Sequence, residues 1–263
     1  MCSINHEKKA IFIHIPKTAG SYLAEVLQKN YGFKNYYLQR PDHKKFCFNI
    51  DNSVKYHENK IHGTIVYYKT SKYLNRIMGM NQEKWNTYHK FCFVRNPFDR
   101  IVSGWNYCNN RSKYNIDFNK FINFDFDTNS FDYWHTFMPQ YRHIVNEKGQ
   151  KFIDFIGYFE NIEEDLKVVL DKLNLKVTHK PFIKNKSKHD NYLKYYMKDP
   201  ADADAADADA KTADAKTADA KDVDLKVNNS NNKELIDKVI RICNEDFNNF
   251  NYNKEIEKSS TLL

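Results

Sequence analysis

A chain of 263 residues that is 41% hydrophobic and 15% aromatic has the apolar mass for one ordinary α/β domain, which excludes a fibrous or wholly disordered polypeptide. The formal charge is +7, yet residues 201–224 alone hold eight Asp and three Lys, a local −5 that leaves +12 on the remainder; so basic a body suits an anionic partner such as a nucleotide, an acidic polysaccharide, nucleic acid or a charged membrane. Five scattered cysteines without CxxC pairs or metal-type spacing point to reduced thiols, and with no apolar stretch suited to a signal region or a bilayer span a soluble, cytoplasmic chain is expected.

The polar residues Met1 to Lys9 lead into Ala10 to Ile15 (AIFIHI), a short β-branched run that reads as a strand. Pro16 ends it, and Ser21 opens a helical pattern through Tyr22, Leu23, Val26 and Leu27. The same order returns at Phe91 to Val94, a buried-strand pattern followed by Arg95-Asn96-Pro97 and a helix from Phe98 to Tyr107. It returns again at Phe152 to Tyr158, after which Asn161 starts a helix with Ile162, Leu166, Val169, Leu170 and Leu173 on one face. Strands that each feed a helix predict an α/β fold with a parallel sheet flanked by helices. Beyond Pro200 the composition changes to ADADAADADAKTADAKTADAKDVD, in which KTADA occurs twice. With almost no bulky apolar residue it cannot offset its ordering entropy, so 200–232 is expected to be a disordered insertion within a single domain spanning 1–263. A packing helix is expected from Lys233, with Leu235, Ile236, Val239, Ile240, Cys243 and Phe247 as its stripe.

Two constellations carry chemistry. Pro16-Lys17-Thr18-Ala19-Gly20-Ser21 stands between strand and helix, where outward-pointing amides at a helix start favour a phosphate. Lys17 adds a full charge, Gly20 allows close approach, and the Thr18 and Ser21 hydroxyls add donors. The GxxxxGK[ST] order of a Walker loop is missing, and no Mg²⁺ ligand pattern accompanies it, which argues against a P-loop kinase. In Val94 to Ser103 (VRNPFDRIVS), Arg95 at a strand's carboxyl end offers a planar fork to a second phosphate, with Ser103 two turns into the following helix. The plain alternative is an Arg95–Asp99 salt bridge with Ser103 as a surface residue.

Together these segments resemble the two phosphate-binding signatures of the PAPS-dependent sulfotransferase superfamily, PAPS being 3′-phosphoadenosine 5′-phosphosulfate. The wording is nearest to the carbohydrate branch that includes the heparan sulfate and chondroitin enzymes. IPKTAGS at Ile15 to Ser21 is similar to the family's 5′-phosphosulfate loop, and VRNPFDRIVS to its 3′-phosphate site, with Asn96 where Asp is commoner. FMPQYRHIV from Phe137, IGYFENIEEDLKVVLDKL from Ile156, IKNKSKHDNYLKYY from Ile183 and EDFNNFNY from Glu245 extend the resemblance through most of the chain.

What the resemblance implies is a P-loop-like three-layer fold and an enzyme that moves a sulfonate group from PAPS to an acceptor hydroxyl, releasing PAP, with no metal required. Lys17 and the amides of Thr18, Ala19, Gly20 and Ser21 would face the 5′-phosphosulfate, Arg95 and Ser103 the 3′-phosphate, and Lys186 with Ser187 would close over the nucleotide. His62, in a run similar to the family's GH segment, is the expected base, with His57 and Glu58 as alternatives. Trp134, His135 and Gln140 would line the acceptor cleft. The acceptor expected is an acidic glycan; a small alcohol, a phenol or a protein tyrosine remains open, as does a binding module without turnover. Nucleic acid is not expected, since the aromatics fall at core spacing and no RNP, zinc-finger or helix-turn-helix pattern occurs, and no integral membrane segment is expected.

Overall fold

The computed structural model describes residues 2–36, 79–112, 116–123, 133–146, 148–180, 191–197 and 232–256. His57, Glu58, His62, Lys186, Ser187 and nearly all of the 200–232 insertion lie outside the described residues, and at Trp134 only the backbone is described. The strands are β1 (Cys2–Asn5), β2 (Ala10–Ile13), β3 (Lys34–Tyr36), β4 (His89–Val94) and β5 (Phe155–Tyr158). They form one sheet in the order β3-β1-β2-β4-β5.

β2, β4 and β5 run parallel, in register Ile13↔Cys92 and Cys92↔Ile156. β1 is antiparallel to both β2 and β3. The sheet is therefore mixed: the expected parallel arrangement holds for β2, β4 and β5, and β1 and β3 add antiparallel pairings. Cys2–Asn5 is a fully buried strand rather than a polar lead-in. Its polar side chains are satisfied across the fold: Ser3 donates to Asn35 Oδ1 at 2.6 Å and Asn5 donates to the Tyr31 carbonyl at 2.8 Å. A tight turn closed by Lys9 in the left-handed region (φ 52°) pairs Asn5 with Ala10. β5 begins three residues later than its apolar run, because the Phe152 amide bonds to Ile144 and Lys151 bridges Val145 before the chain reaches β4.

Alternation sorts the strands onto two cores. Ile4, Ile11, Ile13, Cys92 and Val94 face one side, with Trp85 and Phe250. Phe12, Phe91 and Phe93 face the other, under Leu23 and Leu27 of α1 (Gly20–Tyr31) and Leu166 and Leu170 of the helix Ile162–Lys172. Each such buried Phe or Leu contributes about 1.5–3 kcal/mol. A third cluster joins the helix Pro97–Ser112, here α2, to Phe118, Phe121 and Phe137 and to Val239 and Phe247 near the C-terminus. Helix resumes at 232–242, close to the expected start, and continues as Asn244–Phe250. Cys2, Cys92, Cys108 and Cys243 are buried thiols. No helix among the described residues is long and apolar enough to cross a membrane.

For function the decisive feature is the pairing of β2 with β4. They are parallel neighbours, so the turns that follow them, one beginning at Pro16 and the other at Arg95, leave the sheet at the same edge. In open α/β sheets this carboxyl edge is where ligands bind.

Candidate active site

The first turn is tightly bent. Lys17 and Ala19 adopt left-handed φ values of 69° and 60°, unusual for residues with a Cβ. Alternating left-handed positions of this kind aim successive amides into one concave surface, the geometry of an anion nest. The Thr18 hydroxyl, fully buried, donates to the Ile15 carbonyl at 3.0 Å, so it braces the turn and leaves the amides to meet an anion. Ser21 is exposed at the start of α1. Gly20 has a role beyond ligand approach: a Cβ there would stand 1.7 Å from Cδ2 of His14. The His14 ring thus lies directly beneath the turn, and burial, with the nearby Lys17 charge, pushes its pKa down to about 3, which keeps it neutral.

Lys17 is itself perturbed. Burial lowers its pKa to about 8, the Arg95 and Arg100 guanidiniums add to this, and Cys108 works against them. An ammonium that sits near positive groups, with no carboxylate paired to it among the described residues, is what an anion site needs. Its Nζ lies 4.4 Å from the centre of the Tyr107 ring.

The second turn is built on Arg95. Its Nε and Nη2 bind Asp99 at 2.7 and 2.8 Å, so the plain salt bridge is present. Nη1 donates to the Lys17 carbonyl at 3.2 Å and the guanidinium stacks 4.1 Å over the Phe159 ring. Three bonds leave about two of the five guanidinium N–H groups for a ligand. Asn96 caps α2: its Oδ1 accepts from the Phe98 amide at 2.9 Å, its carbonyl accepts from Arg100, and Pro97 follows at the first helical position. Asn in place of Asp therefore keeps the capping bond. Ser103 is buried in α2.

Several residues that sequence reasoning passed over hold these turns. Arg100, 0% exposed, donates to the Pro16 carbonyl at 3.1 Å and to the Thr136 carbonyl at 3.0 Å. Its Nη2 has no hydrogen-bond partner among the described residues. Glu160 accepts from the Asn96 amide at 2.8 Å and from the Tyr252 hydroxyl at 3.0 Å. Buried Asp246 accepts from the Tyr141 amide at 2.9 Å and from Gln140 Nε2 at 3.3 Å. The available signal was that Arg100, Glu160 and Asp246 each sit inside a segment already noted for its family resemblance.

Gln140 needs correcting. It is 0% exposed, takes the Arg95 amide on Oε1 at 2.9 Å and donates from Nε2 to the Arg95 carbonyl at 2.8 Å. With its amide spent on both backbone groups of Arg95, it clasps the arginine turn and is not available to line a cleft. His135 does stand near the lysine turn, stacked on Tyr107 with ring centres 4.5 Å apart. It projects from a π-helical turn, Tyr133–Phe137, a distortion that often re-aims side chains at functional sites.

The residues present fit a nucleotide with two separate phosphate groups: a lysine-bearing nest, an arginine with spare donors 3.2 Å away, and a buried guanidinium nitrogen that has no hydrogen-bond partner among the described residues. A relative from Archaeoglobus fulgidus, described as an uncharacterized protein, is 36% identical over 91 residues, which is 34% of this chain and 69% of the relative. No solved structure matches the chain. The family model described as "Sulfotransferase family" matches residues 2–253. A match of that extent takes in both turns and the C-terminal helix that supports them, and it shows that the chain belongs to the sulfotransferase family, whose chemistry is the transfer of sulfonate groups.

Proposed function

We propose that the chain, on a P-loop-like arrangement of its sheet, transfers a sulfonate group from PAPS to a hydroxyl of a carbohydrate. The observation that supports this most is that two motif turns 78 residues apart meet at one sheet edge, Arg95 Nη1 lying 3.2 Å from the Lys17 carbonyl. When bound, PAPS supplies an activated sulfonate on its 5′-phosphate. The acceptor oxygen forms its bond to sulfur as the sulfur's bond to the phosphate oxygen breaks, and the acceptor proton leaves with a base.

The chain's residues divide this work. Lys17 and the amides of Thr18 to Ser21 stabilise the charge that grows on the departing phosphate, an effect of about 2.7–4 kcal/mol per well-placed donor. Arg95 and Ser103 hold the 3′-phosphate, and Lys186 with Ser187 cover the nucleotide. Gln140 keeps Arg95 at the strand end, and Asn96 caps the helix that follows. His62 takes the acceptor proton, a contribution of roughly a hundred- to ten-thousandfold. His135, with Trp134, borders the acceptor. The carbohydrate acceptor is supported by the motif wording and by the +12 charge outside 201–224.

The test is transfer of radiolabelled sulfonate from PAPS, in the presence of a chelator, to desulfated glycosaminoglycans, simple phenols and tyrosine peptides. The expected result is label in the glycans alone, lost in His62→Ala while PAP binding persists. Label confined to phenols or peptides would reject the carbohydrate acceptor, and undiminished turnover in His62→Ala would move the base elsewhere.

A further inference from the structure

The Lys17 side chain occupies an awkward place. Burial and two guanidiniums, Arg95 from the strand end and Arg100 from α2, all favour loss of its proton, and among the described residues Cys108 opposes them. Yet a site for an anion needs the charged form. The described residues place one more feature against the ammonium: the face of Tyr107, with Nζ 4.4 Å from the ring centre. A ring face carries negative potential and attracts a cation most strongly where water is excluded.

The ring is held in turn. Tyr107 stacks on His135 with 24° between the planes. His135 belongs to the π-helical turn closed by Met138 N on the Tyr133 carbonyl at 3.0 Å. That turn is pressed against α2, for a Cβ on Gly104 would fall 2.3 Å from Thr136 Cγ2, and it is bonded to Arg100 through the Thr136 carbonyl. The backbone of Lys17 is fixed at its other end by Arg95. Both ends of the side chain are thus anchored from α2 or the turn preceding it.

We propose that Tyr107 is a positioning residue for Lys17: its ring, braced by His135, holds the ammonium charged and beside the anion nest until a ligand's anionic group competes for it. The inference rests on Lys17 being the donor-binding cation described above, and it adds a reason for an aromatic residue at 107. A ring that served only as packing would be indifferent to the electron density of its face.

The experiment replaces Tyr107 by phenylalanine and then by phenylalanines bearing one, two and three fluorines, which drain the ring face with little change of shape and so keep the fold. The pH dependence of Lys17 labelling by an amine-reactive reagent is read by mass spectrometry. The Phe chain should titrate as the native one does. Each fluorine should move the midpoint downward, and the trifluorinated chain should label about three- to tenfold faster near neutral pH. A midpoint unmoved by fluorination overturns the proposal. Labelling uses neither nucleotide nor acceptor, so this failure is separate from failure of the PAPS reading, which would show itself as equal binding of PAP and ADP to the unaltered chain.

Discussion

At the scale of single residues, Lys17 is a cation set among other cations. Its pKa, lowered from 10.5 to about 8 by burial and by Arg95 and Arg100, leaves it half-charged at mildly alkaline pH in the empty protein. An anion bound beside it favours the ammonium, so binding must raise that pKa and draw a proton from solution. The expected outcome is uptake of roughly half a proton on binding PAP near pH 8, turning to net release near pH 6, where Lys17 is already charged and the phosphate groups, partly protonated in solution, lose protons to the cationic site. Calorimetry in buffers of different ionisation enthalpy measures this directly; proton release at pH 8 would show that the bound anion lies elsewhere. Lys17 itself was legible in the sequence, because PKTAGS is short and local. Arg100 was not singled out, since its bonds to Pro16 and Thr136 span 84 and 36 residues and no local pattern announces such contacts.

At the scale of elements, apolar runs located β2, β4 and β5 and the helices after them, as strand-to-helix units should. β1 escaped because Ser3 and Asn5 interrupt the apolar pattern, and their burial is tolerable only through Asn35 and Tyr31, which the chain supplies some thirty residues later. The junction of β2 with α1 carries a testable consequence. Gly20→Ala puts a methyl group where the His14 ring lies, 1.7 Å from Cδ2, and the turn or the ring must shift. A loss of about 1–3 kcal/mol in urea unfolding is expected, together with weaker PAP binding. In the His14→Ala background the same substitution should be much milder, because the space is then free and the two effects do not add. Equal costs in both backgrounds would mean that the ring is not what excludes a side chain at position 20.

At the scale of the whole molecule, the C-terminal helix Asn244–Phe250 and the residues after it reach back to the sheet edge. Asp246 supports Gln140, Gln140 clasps Arg95, and Tyr252 steadies Glu160 beneath Asn96. Segments that read from sequence only as family resemblance turn out to be the scaffold of the arginine turn, a relation invisible without the fold because its members lie 45 to 106 residues apart. The central claim is that Lys17 and Arg95 serve one ligand carrying phosphate groups at both ends of its ribose. Calorimetric titration of PAP against ADP, in the native chain and in Arg95→Ala, tests it most directly. The native chain should prefer PAP by about tenfold or more, the worth of one or two charge-assisted bonds, and the substitution should erase that preference, with ADP binding weakened less than PAP binding. Equal affinity for the two nucleotides in the native chain would contradict the account.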